Sequence, residues 1–414
     1  METRNKGIFS SYGAFPENPD FDKLIRREDS LYTKNNDCRD QFERDYTRIL
    51  HSLAYRRLKH KTQVFFNIEN DHICTRMEHV SHVESVSTTI AKQLGLNVGL
   101  TRAIAMGHDL GHAPFGHQGE RELDAISKKY LGKGFFHERN GLHFVDNIEL
   151  LEDDYRVFRN LNLTYAVRDG IISHCGEVDD SDLRPREEYI DLNTFVKVGQ
   201  YQPFTWEGCV VKLSDKIAYV GRDIEDAIRL GFLTKENMET LADMAKEYDK
   251  MAINTTVIIH NMIYDVCENS SPERGICLSE TFHEQLKEIK QFNYEFIYRN
   301  KRLDTFTKYA RLVLEQIFLV LLDAYDGENT VSELRKRAKY YPELMGAFAD
   351  WLAKFCETEL DMFSNMTEKT VKCMNRKIYG YLETEEIYMG AIIDYISGMS
   401  DNYAIKVFNE LITY

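Results

Sequence analysis

Residues 107–120 read GHDLGHAPFGHQGE, and the interpretation of the whole chain starts there. His108, Asp109, His112 and His117 crowd around a Pro-Phe-Gly break, with Glu120 one turn further on. Imidazole nitrogen and carboxylate oxygen form the ligand set of a borderline divalent cation such as Mn, Fe, Co, Ni or Zn. An adjacent His-Asp pair at one helix end needs further ligands from neighbouring segments, so the expectation is a mononuclear hydrolytic metal site. The histidine distribution agrees: of 13, eight lie between His72 and His143, and only His260 and His283 follow residue 200.

Two other segments offer the missing ligands. In RMEHVSHVESVSTTIAKQLG (76–95) the apolar stripe of a helical wheel runs through Val83, Val86, Ile90 and Leu94. His79 falls near the centre of that stripe and His82 on its border, so His79 is the candidate that points into the fold. In VVKLSDKIAYVGRDIEDAIRLG (210–231), Asp215, Tyr219, Arg222, Asp223 and Asp226 share one face. Acidic stripes are usually solvated, but Asp215 follows the apolar approach Cys209-Val210-Val211-Lys212-Leu213, and an ionised carboxylate buried there needs a cation or donors. The candidate ligand set is therefore His79, His108, Asp109 and Asp215. His117 and Glu120, at i and i+3 after the break, have the spacing of a His-carboxylate couple, in which the acid holds the tautomer and raises the basicity of an imidazole acting as general acid or base.

Composition narrows the class. The chain has 414 residues, seven prolines, 43% hydrophobic and 29% charged residues, which suits a mostly helical protein with a large core. The longest apolar stretch, Leu312 to Ala324, is interrupted by Glu315 and Gln316, so no membrane span is expected. METRNKGIFSSYG lacks the apolar core of a signal peptide. Eight cysteines at irregular spacings with no CxxC pair fit reduced thiols in a cytoplasmic protein. A net charge of -15 argues against a nucleic-acid coat, because counterion-release binding needs a basic surface. An anionic small substrate is compatible, and Arg56, Arg57, Lys59, His60 and Lys61 concentrate positive charge locally.

Along the chain there is no repeat and no low-complexity linker. Three regions are expected: an N-terminal arm over 1–40 that packs on a body or a partner subunit, a core over 41–235, and a helical region over 236–414 without an isolable motif. QVFFNIENDHICT (63–75) carries β-branched and aromatic residues around a polar turn and predicts a short hairpin. Helices are predicted over 76–95, 100–108, 117–131, 140–151, 164–174 and 207–231, with a loop or insertion over 176–206.

With these pieces in place, the chain resembles the HD-domain deoxynucleoside triphosphate triphosphohydrolases, the dGTPase-like enzymes. The matching stretches are RDYTRILHSLAYRRLKHKTQVF (44–65), TRMEH (75–79), HDLGHAPFGHQGE (108–120), VRDGIISHCGE (167–177) and SDKIAYVGRDIEDA (214–227). The resemblance implies an all-α HD-domain fold with a small β-hairpin and additional C-terminal helices. It implies that His79, His108, Asp109 and Asp215 hold one divalent ion (Mn, Mg, Fe, Co, Ni or Zn), that His117 is catalytic with Glu120 as its partner, and that His112 lies near the α-phosphate. Arg76 would bind phosphate, Tyr219 and Asp223 the deoxyribose, and Gln63 the sugar or base region, with His137 a further active-site histidine. In the family a glutamate usually stands three residues after the ligand histidine, whereas His82 stands there in this chain. The resemblance also implies a dNTP substrate, homo-oligomers up to hexamers, and a dNTP effector. Another HD phosphohydrolase, acting on a monophosphate or a signalling nucleotide, and a non-catalytic nucleotide sensor are the alternatives.

Overall fold

The computed structural model describes residues 7–31, 37–66, 70, 72–153, 157–175, 182–248, 255–357 and 374–413. Helices dominate it, and strands are confined, among the described residues, to two short antiparallel pairs. The fold class is all-α, as the sequence predicts. No described helix is long and apolar enough to cross a membrane.

The chain forms two compact units, each built from non-contiguous stretches. The first comprises Met1–Leu50, Gln63–Asp109 and Leu163–Thr305. Its centre is the helix Arg76–Leu94, which starts where Glu78 reaches back to the Thr75 N–H (2.7 Å) and stops at Gly95, whose φ of +82° a side chain would resist. Val83, Val86, Ile90 and Leu94 are all buried, as the wheel predicts. At about 1.5–3 kcal/mol for each buried aliphatic, the stripe is what holds this helix against its neighbours. This helix packs against Val98–Gly107 and Trp206–Arg229. A Cβ on Gly107 would stand 2.8 Å from Ile171 Cδ1, and one on Gly170 2.6 Å from Ile104. Those two glycines let Val98–Gly107 and Tyr165–Ser173 approach closely, which fixes where His108, at the end of the first, comes to lie.

The arm packs on the body of this unit. Phe9 is fully buried with its ring 4.8 Å from that of Trp206. Buried Glu207 takes the N–H groups of Ala14 (2.9 Å) and Asn97 (2.8 Å) on one oxygen. Burial pushes its carboxyl up and the two amides pull it back.

No strand pair forms over the described part of 63–75, while 67–69 and 71 lie outside the described residues. Its backbone goes elsewhere: Cys74 N–H is taken by Asp226 (2.9 Å), Ile73 N–H by the Asn70 carbonyl (3.1 Å), and Phe65 packs on Phe232. Among the described residues of this unit, the paired strands are Asp182–Leu183, inside the stretch 176–206 expected to be a loop, and Ile276–Cys277. Residues 176–181 of that stretch lie outside the described residues.

The second unit comprises His51–Thr62, Leu110–Asn162 and Phe306–Tyr414. The helix Gly116–Leu131 follows the Pro-Phe-Gly break as expected. The helix expected over 140–151 begins earlier, at His137, passes into a wider turn over Phe144–Ile148, and is over by Leu150–Glu152, which pair with Phe158–Asn160. An aromatic group of Phe348, Trp351, Phe355, Tyr379 and Tyr395 forms much of the C-terminal core.

Candidate metal centre and histidine cluster

The first unit brings the four candidate ligands together. His79 Nε2 lies 3.0 Å from Asp215 Oδ1 and 3.9 Å from Asp109 Oδ2. His108 Nε2 lies 3.4 Å from Asp109 Oδ1 and 3.9 Å from Asp215 Oδ1. His79, His108 and Asp109 are buried and Asp215 nearly so. The His108 ring is set by its own helix end: Nδ1 bonds the Ala105 carbonyl at 2.7 Å, which leaves Nε2 turned to the carboxylates with no hydrogen-bond partner among the described residues. An orphaned imidazole nitrogen facing two carboxylates is what a metal site presents, and a second-nitrogen bond to a carbonyl is the usual way of aiming such a ligand. Burial pushes the Asp215 carboxyl up, but the His79 hydrogen bond and the charges of His79, His108 and His174 hold it well below the carboxylate range.

His174, absent from the predicted set, belongs to this group. Its ring centroid is 5.0 Å from that of His108, and its Nδ1 bonds the Ile171 carbonyl at 2.7 Å, the same helix-end device. Its nitrogen lies with His108 and Asp109 within the span of one ion.

Arg76 is 1% exposed and gives Nη1 to Asp109 Oδ2 at 2.9 Å, while its Nε and Nη2 are buried without a partner among the described residues. Gln63 is buried, with its Oε1 unpaired among the described residues. On the Trp206–Arg229 helix, half-buried Tyr219 and buried Asp223 follow Asp215 on one face. Tyr298 donates its hydroxyl to Asp223, and burial pushes the Asp223 carboxyl up to about 7 against that bond. Tyr298 reaches it from a wide turn over Asn293–Tyr298, held by Asn293 Nδ2 on the Val220 carbonyl (3.0 Å). The other two members of the acidic face have structural partners: Arg222 bonds His82 and Glu225, and Asp226 bonds Cys74 N–H.

The second unit gathers His112, His117, Glu120 and His137. Glu120 bridges two imidazoles: Oε1 is 2.9 Å from His137 Nδ1 and accepts the His137 N–H at 2.8 Å, and Oε2 is 3.4 Å from His117 Nδ1. The predicted His117–Glu120 couple is present, with the shorter contact going to His137. Burial raises the Glu120 carboxyl, but the charge of His137 and the bonds from both histidines hold it far below the carboxylate range. The His112 and His137 rings stack at 3.7 Å, both buried, whereas the His117 side chain is 61% exposed.

The backbone makes this arrangement specific. A Cβ on Gly111 would meet the His137 carbonyl at 2.1 Å, and one on Gly119 would meet the Pro114 carbonyl at 1.8 Å. Phe115 takes φ +66°, a conformation most side chains avoid, with its N–H held by Asp401 Oδ1 at 2.8 Å.

The comparisons with known proteins agree with this geometry. The HD domain signature matches residues 76–220. The chain is 34% identical to a deoxyguanosinetriphosphate triphosphohydrolase-like protein of Caldanaerobacter subterraneus subsp. tengcongensis, over 91% of this chain and 86% of that one. This chain belongs to the deoxyguanosinetriphosphate triphosphohydrolase-like family. Family proteins of Clostridium tetani (32%, covering 91% of this chain and 86% of that one) and Desulfatibacillum aliphaticivorans (34%, covering 82% and 88%) carry the same description. Membership of the triphosphohydrolase-like family makes the chain a phosphohydrolase by type, with a buried His/Asp cluster suited to a metal ion.

Proposed function

We propose that this chain is a metal-dependent deoxynucleoside triphosphate triphosphohydrolase that cleaves dGTP, or other dNTPs as well, between the 5′ oxygen and the α-phosphorus, giving the deoxynucleoside and inorganic triphosphate. The observation that carries this reading is the pairing of an orphaned His108 Nε2 with the unspent donors of buried Arg76 in one carboxylate-lined cluster. Unmet donors in a buried guanidinium are costly unless an anion arrives, and phosphate oxygens match its fork.

His79, His108, Asp109 and Asp215 would hold the ion, which when bound supplies positive charge against phosphate oxygens and lowers the pKa of a water. Arg76 keeps Asp109 aimed and offers Nε and Nη2 to phosphate. Leu110 and Gly111 alone separate Asp109 from His112, so the motif carries the chain from the metal set directly to the histidine set. There ionised Glu120 orients His117 and His137, and exposed His117 moves the proton. His112 and His137 face phosphate, and Gln63 reads the sugar or base. Tyr219 packs on the sugar at C2′ and Asp223, held by Tyr298, bonds the 3′-OH, so ribonucleotides and 2′,3′-dideoxynucleotides should be poor substrates.

Phosphorus NMR of a reaction in progress, with each dNTP in turn and Mg or Mn added, tests this reading. Triphosphate should appear first. Pyrophosphate or orthophosphate preceding it would mean that a different bond breaks.

A further inference from the structure

A cavity of about 580 Å³ in the second unit takes no part in the chemistry proposed above. Small-molecule sites usually run from roughly 300 to 1,000 Å³. Phe144, Phe158, Trp351, Phe355 and Met399 give it apolar, largely aromatic walls. Its ionisable groups are unequally satisfied. Glu149 takes the Ala54 N–H at 2.8 Å on one oxygen and Arg57 Nη2 at 2.5 Å on the other. Asp394 Oδ2 lies 2.9 Å from His143 Nε2 and accepts the Tyr379 hydroxyl at 2.7 Å. Glu149 is therefore met on both oxygens by Ala54 and Arg57, and Asp394 on one oxygen by His143 and Tyr379. The cations have capacity left: among the described residues, Arg57 Nε is buried with no partner and the Lys354 ammonium makes no hydrogen bond or ion pair. Each lining carboxylate already faces a cationic partner, Arg57 for Glu149 and His143 for Asp394, so the charge left to answer is that of Lys354; a guest with a negative head answers it, and the walls call for an apolar body.

The wall is tied to the histidine motif. Its Gly398–Ser400 segment lies between two anchors. On one side the Ser397 carbonyl accepts Lys61 Nζ at 3.0 Å, and that same buried ammonium donates to the His112 carbonyl. On the other, Asp401 takes the Phe115 N–H at 2.8 Å and the Thr62 N–H at 2.8 Å. We propose that this cavity binds a small amphipathic monoanion, an aromatic or branched aliphatic body with one acidic head, and that its occupancy is felt at the Pro-Phe-Gly break through Ser397 and Asp401. A polyanion such as a nucleoside triphosphate would find too few free cations here. The binding half stands apart from the dNTP reading, since neither its probe nor its readout involves turnover.

The test is fluorescence titration of the full chain with anilinonaphthalene sulfonate and with its uncharged relative phenylnaphthylamine, alongside hydrogen exchange of the peptides carrying Thr62 and Phe115. The sulfonate should bind saturably at one site and more tightly than the neutral probe. Lys354→Glu should weaken the sulfonate by about tenfold or more and change the neutral probe little. Met399→Trp should weaken both, and if that variant fails to fold, Lys354→Glu decides alone. Bound sulfonate should alter exchange at Phe115 and Thr62. Absence of saturable binding, or a sulfonate affinity indifferent to Lys354→Glu, overturns the site; binding that leaves the exchange untouched overturns the coupling.

Discussion

The two histidine sets are organised in opposite ways. In the first unit His79 and His108 are 3% and 0% exposed and sit against carboxylates, and the His108 ring is locked by a carbonyl of its own helix end. In the second, Glu120 bridges two rings, and the outer one, His117, has a side chain 61% exposed. A ligand has to be fixed and dry before the ion arrives, whereas a group that carries protons has to be reachable. On the proposed reading the HD motif would meet both needs, since the boundary between the two units falls immediately after Asp109.

The strongest way to break the comparison is to remove a carboxylate from the dry set. Asp109→Ala and Asp215→Ala should each lower metal affinity by more than about 10²-fold, seen as loss of metal by elemental analysis, and abolish turnover. The two should differ in stability. Asp109 also neutralises Arg76, and leaving that charge buried alone costs about 3–5 kcal/mol, so Asp109→Ala should melt well below Asp215→Ala. Full metal occupancy in both variants would reject the ligand set.

A change in the reachable set should behave differently. His117→Ala should keep its metal and lose about 10²–10⁴-fold in turnover. Metal content that falls together with turnover would mean that the two sets are not separable in this way.

How far the site is legible in the sequence follows from the kind of geometry each residue uses. His79 is found by a helical stripe, Asp215 by an apolar run leading into a helix, and His108-Asp109 by adjacency, and all are local signals that the fold preserves. His174 repeats the helix-end bond of His108 and could have been found by looking for a second histidine closing a buried helix. Tyr298 could not, because it reaches Asp223 through a wide helical turn 75 residues downstream, where no periodicity points. The turn of the hairpin expected at 63–75 lies outside the described residues, and what the described part adds is a long-range bond that composition does not announce, from the Cys74 N–H to Asp226 on a distant helix. The Leu150–Glu152 strand hides at the end of an apolar helical pattern.

The smallest expected effect sharpens the role of Asp223. Its folded carboxyl titrates near 7 against an ordinary value of 3.8, so the native state holds the proton more tightly than the unfolded chain between those values. Stability from this group is therefore present at low pH and is lost as pH rises from about 4 through 7. Asp223→Asn keeps a neutral side chain throughout, so its melting temperature relative to the parent should climb between pH 5 and pH 8. A difference that stays flat with pH would place the titration elsewhere.

The double bond of Glu207 to Ala14 and Asn97 bears on how the chain can be cut. One buried oxygen anchors both the arm and the start of the helix that ends at His108. A truncation that removes Phe9 and Ala14 would strip one of those amides from Glu207 and bare the Trp206 face beneath Phe9. Shortening the front end should thus loosen the helix that ends at His108, at a distance from the cut.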